Sequence, residues 1–468
     1  MVLEFLNRIV WGAPALVLIL GVGAFLSIRT GFAQITLFPK ALKVFASRFS
    51  RGGDGDGVSP FQALCTALAA TVGTGNLVGV AGAISLGGPG AIFWMWVCAI
   101  VGMVTKFAEA TLAVRYRRCE NGEYVGGPMY MIRYGLGKKW GWLASVYSFF
   151  GVVAAFGVGN ATQINAVITG MNQVITACGG VQTKTGDLIM GIVMAALIGA
   201  MLLGGAKRIG SVAEFLVPFV SCAYILLSVG ALTIRGAAIP AALTSIIQGA
   251  FSPRAVTGGM LGSAFQALRI GVSRGVFTNE AGMGTASIAH ASARVDHPAE
   301  QGLMGIMEVF LDTIVICTMT ALVILTSGVE IPYGTDAGGV LTTRAFVSVY
   351  GEWVTVFLAL ALCCFAFATV LGWGLYGARC AQFLFGAKAW KVFALFQTGT
   401  VVLSAVLETG TIWSLSETVN GLMAIPNLIA LVALSPELSR LTCEYKNVIR
   451  LPRAAGGTYE NLNQCKPL

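Results

Sequence analysis

Charge is scarce in this chain. Asp, Glu, Lys and Arg make up 11% of its 468 residues, against roughly 25% in a soluble globular protein, while 56% are hydrophobic and mean hydropathy is +0.79. That balance excludes a soluble domain and points to an all-α polytopic membrane protein. Histidine is scarcer still, with only His290 and His297. There is no C-x-x-C, no H-E-x-x-H and no Lys-bearing phosphate loop behind a strand, so a membrane enzyme has no catalytic constellation to work with. A cleavable leader of the usual form is not expected, because Glu4 and one arginine precede the first apolar stretch and no small-x-small site follows it. Cysteines such as Cys65, Cys98, Cys222, Cys317, Cys363 and Cys364 lie in apolar stretches, where thiols act as small hydrophobes, so no disulfide framework is expected. Net charge is +9, but the basic residues sit in short loops, where they report membrane orientation and not nucleic acid.

A bilayer span needs about 20 apolar residues. Eleven stretches meet that measure: 11–28, 58–86, 91–114, 142–177, 188–204, 212–234, 262–289, 302–327, 353–380, 392–407 and 412–434. Lys and Arg crowd alternate connections, among them Lys40, Lys43, Arg48 and Arg51, then Arg115, Arg117, Arg118 and Arg133, then Lys207 and Arg208. The other set holds only Arg8, Lys184, Arg235, Arg254 and Arg344. Positive loops stay cytoplasmic, so the amino terminus is expected outside and the carboxyl terminus inside. The chain then divides into a leading helix and loop (1–57), two halves (58–235 and 236–436) and a cytoplasmic tail (437–468). Residues 119–140 suffice for a cytoplasmic surface helix, and the connections 235–261 and 328–351 are expected to be outside lids.

The second stretch is interrupted at its centre by Ala69-Ala70-Thr71-Val72-Gly73-Thr74-Gly75-Asn76. Small residues there could serve close helix packing. They could also mark a broken helix, whose freed amides hold a carboxylate and freed carbonyls a cation. Phe61-Gln62-Ala63-Leu64 opens this stretch, and Phe265-Gln266-Ala267-Leu268 opens the seventh, which runs into Thr278-Asn279-Glu280-Ala281-Gly282-Met283-Gly284-Thr285. Five spans separate the two copies, so they cross in opposite directions. That is an inverted repeat of five plus five helices behind one leading helix, with broken segments at matching places, the sequence mark of a transporter's site. An ion channel is the weaker alternative, since channels usually repeat one filter around an axis.

Gly87-Gly88-Pro89-Gly90-Ala91-Ile92-Phe93-Trp94-Met95-Trp96, the run from Gly73 to Asn76, Gly126-Gly127-Pro128-Met129-Tyr130, and residues 278–285 leading to Ala289-His290 resemble the alanine or glycine:cation symporter family. The likeness runs over about residues 11–436. It implies sodium-coupled uptake of small neutral amino acids, alanine or glycine, through a leucine-transporter-type fold in a bacterial inner membrane. The implied partners are sodium, the amino acid and the lipid bilayer, with no nucleic acid, and the expected state is a monomer. Counting core helices 1 to 10 from residue 58, helices 1 and 6 are the broken ones.

An amino acid crosses as a zwitterion, and each charge needs a partner once water is removed. The amides of Thr74, Gly75 and Asn76 are expected to face its carboxylate, and carbonyls near Val72 and in core helix 6 its ammonium. Main-chain dipoles avoid a fixed ion at the midplane, which costs about 2.5–3.5 kcal/mol on insertion scales. The family's fold implies a sodium ion between core helices 1 and 8, matching carbonyls of Ala69 and Val72 and Ala366 with the Thr369 hydroxyl. Val370 stands where the leucine-transporter pattern has a second hydroxyl, leaving Thr71 or water for the open position. The plain alternative for Thr369 is a bond back to its own helix. Trp373, one turn further on, is implied to wall or gate the pocket. Gln163, on one face with Asn160, is the expected side-chain contact to substrate, or else a helix–helix hydrogen bond. Phe277, Asn279, Gly282 and Met283 join from core helix 6, with the bulk of Met283 expected to keep the cavity small. Lys106 with Glu109, Glu308 with Asp312, and Arg269 and Arg274 are expected to form structural or gating pairs. Glu308 or Glu280 as a proton carrier gives the alternative of a proton-coupled symporter.

Overall fold

The computed structural model describes residues 12–49, 57–120, 122–252, 264–407 and 410–450. Arg8, Arg51, Arg254 and the end of the tail, which entered the orientation argument, lie outside the described residues.

Helices occupy all eleven apolar stretches. The leading helix α1 (Ala13–Arg29) is followed by α2 (Phe38–Phe49). Core helix 1 is in two pieces, α3 (Pro60–Thr71) and, after a π turn at Gly75–Gly79, α4 (Val80–Gly87), bent by 50° at the break. Ser59 and Gln62 form a reciprocal capping box and Pro60 takes the first turn, so the start of α3 is written locally. Then come α5 (Gly90–Arg115), α6 (Gly141–Phe156) and α7 (Thr162–Ala177) joined by a π turn, α8 (Lys184–Leu202) and α9 (Gly205–Ile234). The second half has α10 (Ile239–Phe251), α11 (Ala264–Asn279), α12 (Thr285–His290), α13 (Pro298–Val309) and α14 (Thr318–Thr326). It closes with α15 (Gly338–Tyr350), α16 (Trp353–Phe385), α17 (Ala389–Val406), α18 (Gly410–Ala433) and α19 (Ser435–Arg450). Among the described residues, seven helices are long and apolar enough to cross a membrane, or nine when each bent pair counts as one span. Phe215, Phe219, Leu226 and Leu395 stand exposed on the outer surface, where a bilayer accepts them.

Core helix 6 breaks between α11 and α12. Glu280 has φ +53, Gly282 +94 and Gly284 +79, a run of left-handed backbone that no helix can continue through. α5 packs along both α11 and α13, and α16 along α6, α7 and α3, so both breaks are enclosed by intact helices.

The three long connections are ordered. Residues 119–140 differ from the expected surface helix: β1 (Arg118–Glu120) pairs with β2 (Glu123–Val125), and a short helical turn with Met129 to Ile132 buried follows. Gly122 and Gly127, at φ +80 and +122, turn the chain where a helix would have had to persist. Opposite, α15 lies over the end of core helix 1, Thr342 Oγ1 donating to Leu77 O at 2.7 Å. α10 packs on the start of α5, where Gly90 and Gly249 allow backbone contact. Helix α19 lies across the other end of the bundle, tied by Arg115 to Glu437 at 2.8 Å and by Lys446 Nζ to Thr30 O at 2.9 Å. That end carries Arg48, Arg115, Arg117, Arg294 and Arg379, and is called the basic face below.

Candidate functional site

The break in core helix 1 is held open by one side chain. Val72 leaves α3 in an extended conformation, and the Gly73 N–H donates to Asn76 Oδ1 at 2.8 Å. Asn76 Nδ2 donates to Asp312 Oδ1 at 2.7 Å and to Asp312 O at 3.2 Å. Asn76 and Asp312 are wholly buried. From Asp312 the chain of bonds continues through Thr313 Oγ1, which donates to Asp312 Oδ2 at 2.7 Å, to Asn279 Nδ2 at 3.2 Å from that hydroxyl. The two breaks are thus wired together through α13 and its π turn.

The break in core helix 6 is filled from within. Glu109 Oε1 accepts the N–H groups of Gly282 at 2.9 Å and Gly284 at 3.1 Å, and Asn427 Nδ2 at 2.7 Å. A carboxylate of the protein therefore occupies the freed amides of this break, leaving those of core helix 1 for a carboxylate from outside. Lys106 Nζ pairs with Glu308 at 2.9 Å, and His290 Nε2 lies 2.9 Å from the other Glu308 oxygen. Lys106 thus bonds across to α13 and not to Glu109 one turn away.

Between the breaks lies a small cavity of about 20 Å3, room for about one water or a bare ion. It brings together Thr74, Gly75, Gln163, Phe277 and Trp373 of the expected substrate residues and Thr369 of the expected sodium residues. A Cβ placed on Gly73 would lie 2.8 Å from Thr369 Oγ1, so glycine lets that oxygen reach the break, and Gln163 Oε1 stands at ordinary contact distance beside it. Thr369 Oγ1 donates to Phe365 O at 3.0 Å, which spends its proton and leaves its lone pairs free to accept. The other expected sodium residues, Ala69, Val72 and Ala366, are buried but do not line this cavity, and Val72 lines a separate apolar pocket; α16 and α3 meet closely where Gly372 touches Ala70. Trp373 packs against Gly159, where an added Cβ would come within 2.3 Å of the Trp373 Cβ. Thr74 Oγ1 donates to Gln163 Oε1 at 3.3 Å, and Thr74 also floors an open cleft of about 220 Å3 beneath α15. Thr74 thus lines both the cavity and the cleft.

Four expected contacts stand behind the cavity. Asn76 and Asn279 hold the breaks as described. Gly282 and Met283 face away: with Glu109 gripping the amides on either side, Met283 packs with α1, α5 and α18, and its carbonyl accepts from Tyr147 at 3.1 Å. Confinement of the cavity falls to Phe277 and Trp373 instead. Asn160 donates to Gln397 O at 3.0 Å, a helix–helix bond, while Gln163 faces the cavity.

Glu280 was not among the expected contacts, yet it lines the cavity. Its Oε1 accepts Trp373 Nε1–H at 3.1 Å and its Oε2 accepts Thr285 Oγ1–H at 2.6 Å. Both partners are neutral. The signal was present in the sequence as a carboxylate between two glycine-rich turns at bilayer depth, a functional position by default.

An apolar helical bundle with two interrupted helices meeting at a small cavity that polar side chains line defines a secondary transporter. Comparison with known proteins gives the family: the chain belongs to the sodium:alanine symporter family, whose profile matches residues 1–454. It is 44% identical over 437 residues to the sodium/alanine symporter AgcS of Methanococcus maripaludis, covering 92% of this chain and 93% of that one. It is 42% identical to an uncharacterized transporter of Haemophilus influenzae, with 95% of each chain covered. The probable sodium/glutamine symporter GlnT of Bacillus subtilis is 36% identical, over 92% of this chain and 87% of its own. Among solved structures, MhsT in complex with L-phenylalanine aligns with 84% of this chain and 99% of its own at TM-score 0.55 and 14% identity, a likeness of fold. The protein is a transporter and not an enzyme.

Proposed function

We propose that this protein carries small neutral amino acids, alanine and glycine, into the cell together with sodium. The observation that supports this best is the cavity where the core helix 1 break, the Thr369 hydroxyl and Glu280 converge. The substrate carboxylate sits on the amides of Thr74 and Gly75, and its ammonium faces Glu280 and the Gln163 Oε1 atom. Sodium takes the carbonyls of Ala69, Val72 and Ala366 with the Thr369 hydroxyl, all hard oxygen donors. Phe277 and Trp373 wall a cavity that now holds about one water, so they must move apart to admit a substrate, which favours a short side chain. Eleven spans with a five-plus-five inverted repeat, the amino terminus outside and the basic face in the cytoplasm, give a single-chain carrier in the inner membrane whose cleft beneath α15 is the entrance. One sodium ion entering gains about 2.3 kcal/mol per 100 mV and about 1.4 kcal/mol per tenfold gradient. Together these sustain roughly 500-fold accumulation of a neutral amino acid.

The test is uptake of labelled alanine into proteoliposomes under an inward sodium gradient, with unlabelled glycine and glutamine as competitors. Saturable uptake that stops when choline replaces sodium at fixed pH, and that glycine inhibits, is the expected result. Uptake that survives in choline would make the carrier proton-driven, and current without substrate would make it a channel. Glu280→Gln keeps the Trp373 and Thr285 bonds in outline but removes the charge. Half-saturation for alanine is expected to rise about tenfold at fixed sodium, the effect of losing one bond to a charged group. An unchanged value would place the ammonium elsewhere.

A further inference from the structure

The basic-face ends of the two broken helices are fastened to each other at one spot. Val58, entering α3, forms a parallel bridge with Ala293, which leaves α12, and the Arg294 N–H donates to Val58 O at 3.1 Å. Arg117, just beyond α5, directs Nη1–H at the carbonyls of Ala291, at 3.5 Å, and Ala293. Its guanidinium lies 3.9 Å from the centre of the Tyr124 ring on β2. The hairpin is itself fastened by Glu123 to Arg379 on α16. Directly beneath, Ala63, Val114, Ala293 and Val295 form a small apolar cluster of their own, each at most 5% exposed.

Carbonyls past the end of a helix have no partner within it and carry partial negative charge, so they suit a cation. Arginine, with five donors in a fixed fork, can serve two carbonyls and a ring face at once, where lysine offers a point charge. The four small side chains below offer little apolar area, so they cannot hold this end closed alone. Arg117 is only half-buried, and its bonds can be exchanged for bonds to water at small net cost. The Lys106–Glu308–His290 cluster nearer the cavity is wholly enclosed and has no such exchange open to it.

We propose that Arg117 is a positioning residue that latches the basic-face gate, tying the chain beyond α12, and through the Val58–Ala293 bridge the start of α3, to the hairpin while the cavity is closed to that side. Its release frees the bridged ends of α3 and α12 from α5 and the hairpin, parts Ala63 from Val114, and opens a path from the basic face past Ala63 to the cavity. This rests on reading the cavity as the substrate site of an alternating carrier.

The experiment introduces Ala63→Cys into the full chain and follows its modification by a charged methanethiosulfonate. Peptide mass spectrometry separates this thiol from the exposed native Cys178, Cys222 and Cys443. Adding Arg117→Ala is expected to raise the modification rate at position 63 at least tenfold. Arg117→Lys should give an intermediate rate, and Tyr124→Leu a smaller rise in the same direction. Arg117→Ala protein that still binds alanine with sodium and is modified at the parent rate overturns the latch. If Arg117→Ala does not fold, parent rates in both Arg117→Lys and Tyr124→Leu overturn it. Failure of the otherwise wild-type protein to bind alanine would instead overturn the carrier reading, and labelling would be unaffected by that outcome.

Discussion

Alanine uptake is expected to fall on the order of a hundredfold in Asn76→Ala. The side chain ties the break to its neighbour: it accepts the Gly73 N–H at 2.8 Å and donates to the Asp312 carboxylate, in the π turn after α13, at 2.7 Å. Removing it orphans a buried amide and strips a buried carboxylate of one of its two side-chain oxygen or nitrogen donors, the other being Thr313. A bond to a charged group contributes about 1.5–3 kcal/mol net, and an orphaned buried donor costs about 1–3 kcal/mol. The low end of that sum, about 2.5 kcal/mol, is roughly 60-fold in binding or rate, and its middle, about 4 kcal/mol, is several hundredfold. The loss falls on the amides of Thr74 and Gly75, because Asn76 is what keeps the chain from re-forming a straight helix through them. Initial uptake rates in proteoliposomes, with melting temperature measured alongside, check this. Uptake within threefold of wild type in a folded Asn76→Ala protein would show that the break holds its shape without the Asn76–Asp312 pair.

The location of both breaks was legible because the cause is local. Gly73 and Gly75 beside threonine, and Gly282 and Gly284 around Met283, disfavour continued helix wherever they occur, and the spans on either side are set by apolar length. The direction in which side chains point beyond a break was not legible. Three left-handed residues within five, Glu280, Gly282 and Gly284, abolish the 3.6-residue phase that would carry a face across from α11 to α12. Met283 was accordingly placed in the cavity and Glu280 was not, whereas the fold does the reverse. Charge pairing failed for a different reason. Lys106 and Glu109 are one turn apart on α5, a spacing that suits an ion pair on an exposed helix. In a dry interior each charge goes to the partner that satisfies most of its bonds, and that partner, Glu308, is 202 residues away for Lys106. Glu109 is left to the amides of Gly282 and Gly284, an anion-to-backbone match that no pattern of side-chain charges reveals. The hairpin at Arg118–Val125 was hidden for a third reason: its strands are three residues long, too short for alternation to show.

The sodium requirement for half-maximal alanine uptake is expected to rise at least tenfold in Thr369→Val, with little change in Thr369→Ser. Valine keeps the shape of threonine and removes one oxygen, so packing against the core helix 1 break is preserved while a ligand is lost. The Thr369 hydroxyl spends its proton on Phe365 O at 3.0 Å, which turns its lone pairs toward whatever lies at the mouth of the break. The absence of a Cβ at Gly73 lets that oxygen approach: an added one would lie 2.8 Å away. A tenfold change corresponds to about 1.4 kcal/mol, the scale of one interaction with a charged partner, and is the least that loss of a direct ligand should cost. The hydroxyl could also serve only its own helix, as threonines in membrane helices do. In that case valine would leave the sodium dependence where it was, and the ion would have to be held by main-chain carbonyls alone. Measuring uptake against sodium at two fixed pH values separates these cases from proton coupling: a change in pH dependence without a change in sodium dependence would assign the driving ion to a carboxylate such as Glu280 and not to Thr369.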